Sequence, residues 1–336
     1  LAPLVGADPE LAGRAGELCK CDLVTNMVAE FPKLQGHMGM LYAVSQGEPA
    51  EVATALEEQY LPAFADDSPA SSPEGMALAL ADRLDTLAGC FAIGMRPKGG
   101  DPQGLRRAAL AIVRTLAIRG IHADLRQLFK TTIQSFHRHV VVGSTEGSFE
   151  SWEKYRGIGN EPAYVDEVAK ELTDFTVARF RAWAIADGCS ADLVDAVIVA
   201  SVPDPVVLYA KASALKAIAG QPDFKDIMST FKRVLNITRD GDYPTPTAEQ
   251  CTHPAEVALA GFADTVEGDV SAAVAALDYS TALGHMLSLR QPVAALFDAV
   301  MVDSPDPIER AVRMGLLQRV GRTFLELADF SRISTR

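Results

Sequence analysis

Cys19–Lys20–Cys21–Asp22–Leu23–Val24–Thr25, continued by Glu30–Phe31–Pro32–Lys33–Leu34–Gln35–Gly36, and further along Ala81–Asp82–Arg83–Leu84–Asp85–Thr86–Leu87, decide how this chain is read. Both lie in stretches whose apolar residues recur at helical spacing. The first runs from Leu11 to Phe31 and stops at Pro32. The second is opened by Ser71–Ser72–Pro73–Glu74, with Ser72 as N-cap and Pro73 at the first helical position. In it Ala77, Leu80, Ala81, Leu84, Leu87 and Ala88 form the apolar stripe, which leaves Asp82 and Asp85 beside it, three apart on one face. Two carboxylates so placed suit a divalent ion or acid–base work; beside an arginine such as Arg83 they are more often hydrogen-bonded structural groups. A metal site between helices also wants imidazole converging with carboxylate, and Cys21–Asp22 supplies no histidine.

Outward from these stretches the reading stays helical, so the fold class is all-α. Glu51 to Tyr60 is a short amphipathic helix ended by Pro62, Asp101–Pro102 opens a helix over 103–119 closed by Gly120, and Asp124 caps the next. Between Val140 and Pro162 the pattern dissolves into glycine and serine, which marks a linker. Helices follow over Tyr164 to Ala186, Ser190 or Ala191 to Ala200, Val206 to Ala219 and Asp223 to Thr238. After a Gly/Pro/Thr-rich gap from Arg239 to Pro254, three more are expected from Ala255 onward, the last two separated by Ser304–Pro305–Asp306–Pro307. Short β-branched runs such as Val140–Val142 are too brief for a sheet.

The 336 residues, 48% hydrophobic, can bury ordinary cores in two or three units. The five cysteines show neither a disulfide framework nor a zinc spacing; a reduced cytoplasmic setting is expected, with Cys19 and Cys21 as packed free thiols. No apolar run approaches the roughly 18 residues of a membrane span, and no membrane partner is expected. The first residue is Leu rather than Met, which reads as a piece of a longer polypeptide. Of the six histidines, His37, His122, His137, His139, His253 and His285, none makes an HExxH set, and His137 and His139 point apart on a helix. Phosphate-loop, dinucleotide-binding and nucleophile-elbow motifs are missing.

The net charge of −13 opposes nucleic-acid binding in bulk. Its distribution does not. Between Gly104 and His139 stand Arg106, Arg107, Arg114, Arg119, Arg126, Lys130 and Arg138, with Asp124 the single acid; Arg310, Arg313, Arg319, Arg322, Arg332 and Arg336 dominate the final segment. A basic run is more often a solvated helix face than a ligand surface, but a basic stripe on an acidic body remains compatible with folded RNA.

The opening stretches resemble the framework of HD-type metal phosphohydrolases, with Cys21 where the His of the His-Asp doublet would stand. A longer series of blocks resembles the C-terminal half of the beta subunits of bacterial heterotetrameric glycyl-tRNA synthetases. It comprises Glu17 to Thr25, Glu30 to Gly39, Ala77 to Leu87, Phe91 to Gly94, Pro97 through Asp101–Pro102, Leu105 to Leu110, Phe231 to Ile237, Phe297 to Val302 and Leu327 to Ser331. His37 and the insert from Gly143 to Gly159 depart from that pattern. The resemblance implies an HD-like helical domain over 1–142 with a degenerate metal site, a linker over 143–162 and a helical DALR-type anticodon-binding domain over 163–336. It implies partnership with the alpha subunit, which uses ATP with Mg to activate glycine, and with tRNA(Gly), in an alpha2-beta2 enzyme. This chain would bind no cofactor or metal and would be inactive alone. The alternative is a metal-dependent HD-type phosphohydrolase.

Under that resemblance Lys20, Asp22, Asp82 and Asp85 become structural remnants. The tRNA-binding candidates are Arg106 and Arg107, which open a helix where side chains and free amides could grip phosphate, and Arg114, seven residues on and on roughly the same face. Lys232, Arg233 and Asn236 are spaced so that the amide could meet a base edge while a cation meets backbone. Arg313, Arg319 and Arg322 would complete a second cationic face.

Overall fold

Every regular element among the described residues is a helix, in keeping with the 3.6-residue spacing of the apolar positions. The computed structural model of the protein describes residues 1–64, 67–97, 99–136, 161–222 and 224–334. By packing, the chain divides into two compact units, Leu1–Phe180 with Pro203–Val206 and Arg181–Val202 with Val207–Arg336. The linker expected over 143–162 lies, up to residue 160, outside the described residues, as do His137, His139 and Val140–Val142. No described helix is long and apolar enough to cross a membrane.

The first unit contains α1 (Ala2–Val5), α2 (Pro9–Leu18), α3 (Asn26–Glu30), α4 (His37–Ser45), α5 (Ala50–Glu58), α6 (Pro73–Ala92), α7 (Leu105–Arg119), α8 (Leu125–Phe136) and the start of α9 (Pro162–Ala186). Helix α6 is its axis: Leu80, Leu84, Leu87 and Phe91 are fully buried, and α2, α5, α7 and α8 pack around it. Its start is fixed as the sequence predicts, the Ser72 hydroxyl accepting from the Gly75 amide at 3.0 Å. Beneath that cap, Glu58 accepts from the amides and hydroxyls of both Ser71 and Ser72. Burial pushes the Glu58 carboxyl up, yet these four bonds outweigh it and hold it below the ordinary carboxylate range.

The single helix expected from Leu11 to Phe31 is broken into three pieces. α2 ends at Leu18, Lys20 takes a left-handed backbone (φ +69°), a 3-10 turn covers Cys21–Val24, and α3 restarts behind the Thr25 cap. The reversal turns Asp22 inward, where its carboxylate accepts from the Gly36 amide at 2.6 Å; a continuous helix could not make that bond. α7 likewise begins at Leu105, after Gly104 at φ +70°, with Asp101 capping from a distance through the Arg106 and Arg107 amides. Gly120 ends it and Asp124 caps α8, as expected.

The irregular stretch between α5 and α6 is held by arginines. Arg83 donates to the carbonyls of Gln59, Tyr60 and Pro62, Arg114 to that of Phe64, and Arg119 to those of Pro69 and Ala70. Carbonyls without a helical partner are thereby satisfied inside the fold.

The second unit takes the end of α9, then α10 (Ala191–Val199), α11 (Pro205–Ala219), α12 (Phe224–Ile237), α13 (Pro254–Ala275), α14 (Tyr279–Ser288), α15 (Arg290–Ala299) and α16 (Pro307–Leu325). Four helices stand where three were expected after residue 254. The first three part at Leu277, left-handed at φ +59°, and at Leu289, where α14 and α15 meet, one break more than expected. Phe231 of α12 stacks on Phe324 of α16 at 3.9 Å, and Phe330 closes the cluster edge-on. The Gly/Pro/Thr-rich gap is pinned rather than loose: the Gln318 amide accepts from Tyr243 N at 2.8 Å and donates to Gly241 O at 2.7 Å. Gly315, one turn earlier, lets the Pro244 carbonyl come against the helix, where any Cβ would collide with it.

Candidate nucleic-acid interface

Lys20, Asp22, Asp82 and Asp85 occupy one corner of the first unit. Lys20 pairs with Asp82, which together with that hydrogen bond keeps the ammonium's pKa raised. Asp22 is 3% exposed and is spent on the Gly36 amide. Asp85 has its carboxyl pushed up by burial, against the pull of Lys20. Between them the Tyr60 hydroxyl is buried with no hydrogen-bond partner, and burial, with Asp22 and Asp82 adding, pushes it up to about 12. Among the described residues no three metal-ligating side chains converge, so the arrangement of side chains gives the phosphohydrolase alternative no support. Cys19 is partly buried as expected, whereas Cys21 is exposed.

The predicted cations sort by what holds them. Arg313 and Arg319 of α16 turn into the unit: Arg313 is 7% exposed and bonded to Glu256 and Glu309, and Arg319 is paired with Asp264 and Glu267. Arg313 is therefore not part of an outer cationic face. Arg114 is buried as well. Arg106 donates to the Gly99 and Gly100 carbonyls at 2.9 Å, and the amides of Arg106 and Arg107, expected to be free for phosphate, are taken by Asp101. Lys232 reaches the Ile333 carbonyl at 3.5 Å, while the exposed Arg233 lies 3.7 Å from the Phe297 ring centroid.

Asn236 and Arg322 have a different setting. Arg322 joins Arg239 and Arg332 around a groove of about 560 Å³ with Leu235, Leu325 and Gln318 in its wall. Arg239 donates to the Asn236 side-chain carbonyl at 2.9 Å, and Arg322 lies 3.5 Å from the Gln318 amide oxygen. Arg332 is paired with Asp329 at 3.1 Å. Three guanidinium groups thus share one carboxylate partner among the described residues, and two are held only by neutral amides. Such donors remain available to phosphate oxygens or a base edge, with leucine side chains beside them for the apolar ring. Arg239 was not among the sequence candidates, although it lies three beyond Asn236, in the turn that follows α12. Arg332 stood only in the general basic tail.

A family model described as glycyl-tRNA synthetase beta subunit matches residues 1–199. The chain belongs to that family. It is 36% identical to the glycine–tRNA ligase beta subunit of Haemophilus influenzae (strain 86-028NP), over 98% of this chain and 48% of the relative. The beta subunits of Actinobacillus pleuropneumoniae and Chromohalobacter salexigens are each 37% identical, over 98% and 99% of this chain and 45% and 46% of theirs. The chain spans about half the length of the curated relatives it matches.

Proposed function

We propose that this chain is a tRNA-binding portion of a glycyl-tRNA synthetase beta subunit. It supports attachment of glycine to tRNA(Gly) by a cytoplasmic alpha2-beta2 enzyme whose alpha subunit uses ATP with Mg. In this reading the first unit is an HD-like helical fold that has kept its framework without metal chemistry, and the second is the DALR-type anticodon-binding part. The chain alone is not expected to aminoacylate.

The groove of Arg239, Arg322 and Arg332 carries the reading. Anticodon bases are unstacked, so a groove that offers guanidinium donors for the backbone and for a base edge fits them. Reversing Arg239 and Arg322 to glutamate together is expected to weaken binding of tRNA(Gly) in a gel shift at least about tenfold. Both side chains are exposed and outside the core, so the unfolding midpoint should hold. Unchanged affinity in the folded double variant would show that the groove is not the contact.

A further inference from the structure

The first unit holds a guanidinium that no carboxylate balances among the described residues. Arg114 is 7% exposed, and its Nη1 donates to the Phe64 carbonyl at 3.2 Å. Its Nε is buried with no hydrogen-bond partner. No carboxylate lies within ion-pair distance of it among the described residues. A cation taken out of water without a counter-ion or full hydrogen bonding is costly to the fold. Here it lines a pocket of about 230 Å³ formed with Pro62, Phe64, Arg107 and Leu110. Arg107 lies two helical turns before Arg114 on the same face, its side chain exposed and only loosely paired with Asp101 at 3.9 Å.

The remaining wall is equally unusual. Phe64 is 76% exposed, yet its backbone is tightly fixed. The Asp67 carboxylate accepts from the amides of Ala63 and Phe64 at 3.0 and 2.9 Å, and Arg83 and Arg114 hold the carbonyls around it. A ring kept in water on a fixed backbone is a stacking platform. An inorganic anion alone would make no use of that ring, and an apolar side chain would make no use of two cations. A nucleotide uses both.

We infer that this pocket takes one unstacked nucleotide of RNA, its base against Phe64 and its phosphate between Arg107 and Arg114. This makes a second RNA contact, separate from the groove of the second unit, and it rests on the reading of the chain as tRNA-binding. The test uses the whole chain with a tRNA(Gly) transcript. Phe64→Ala and Arg107→Glu both change exposed side chains, and thermal melting checks that each stays folded. Each is expected to weaken binding roughly 5- to 100-fold, the range measured for losing one stacked base. Benzoylphenylalanine placed at 64 is expected to cross-link to a single nucleotide. If wild-type chain binds tRNA and both folded variants bind within twofold of it, the pocket assignment is overturned while the broader reading stands. If wild-type chain does not bind tRNA, both are overturned.

Discussion

Alanine at position 313 is expected to destabilise the second unit by about 3–5 kcal/mol, seen as a lowered midpoint in urea unfolding. Arg313 Nε bonds Glu256 Oε1 at 2.7 Å, and Nη1 reaches Glu309 at 2.8 Å and the Met301 carbonyl at 3.0 Å. Glu256 is itself 2% exposed. Burial pushes its carboxyl up, but Arg313 and the His253 and Thr252 amides together hold it below the ordinary range. Without the guanidinium a charged carboxylate stays buried with two amides for company, which is far worse than never having had the pair. Arg313→Met combined with Glu256→Gln, which keeps an acceptor for those amides, is expected to recover most of the loss. An alanine variant that unfolds at the wild-type midpoint would sink this account. With the expected destabilisation, weak RNA binding by Arg313→Ala would report unfolding, not a lost contact.

Lys211→Met is expected to act the other way, raising stability at pH 7 by about 1–3 kcal/mol. The Lys211 side chain is buried, its Nζ donating to Ser201 Oγ at 3.1 Å and lying 5.4 Å from the centre of the Tyr279 ring. Burial, opposed by Glu326, lowers its pKa from 10.5 to about 8. Below pH 8 the ammonium is charged in both folded and unfolded chain, and the full cost of burying it falls on the folded state. Between about 8 and 10.5 the unfolded chain still binds a proton that the folded chain has released, so stability rises with pH across that window. Chemical unfolding of wild type and Lys211→Met across pH 7 to 10 checks the sign. The variant should lose the upward slope, and an identical slope in both would refute the assignment to Lys211.

Where a helix starts or stops on a local signal, the sequence was readable. Ser72, Gly120 and Asp124 each do in the structure what their chemistry predicts. The breaks at Lys20 and Leu277 were hidden because each puts a non-glycine residue at positive φ, which composition does not announce. Arginine roles were hidden for a related reason. Nothing local distinguishes Arg313 and Arg319 from Arg322; the difference is made by Glu256, Asp264 and Glu267 on another helix, more than fifty residues earlier. Asn236, a candidate from its spacing, meets the groove only through Arg239, whereas Arg332 comes to it from beyond α16.

That sorting along α16 has a consequence for ionic strength. Dissolved ions shorten the reach of exposed charge to about 10 Å at 0.1 M and about 3 Å at 1 M, but they hardly enter a dry interior. Arg322 lies in solvent and Arg313 does not. Raising sodium chloride from about 0.1 to 0.5 M is expected to release RNA from the folded chain while the thermal midpoint of the second unit barely moves. One helix would then answer the same salt in two ways, letting go of its ligand at the rim and keeping its shape within.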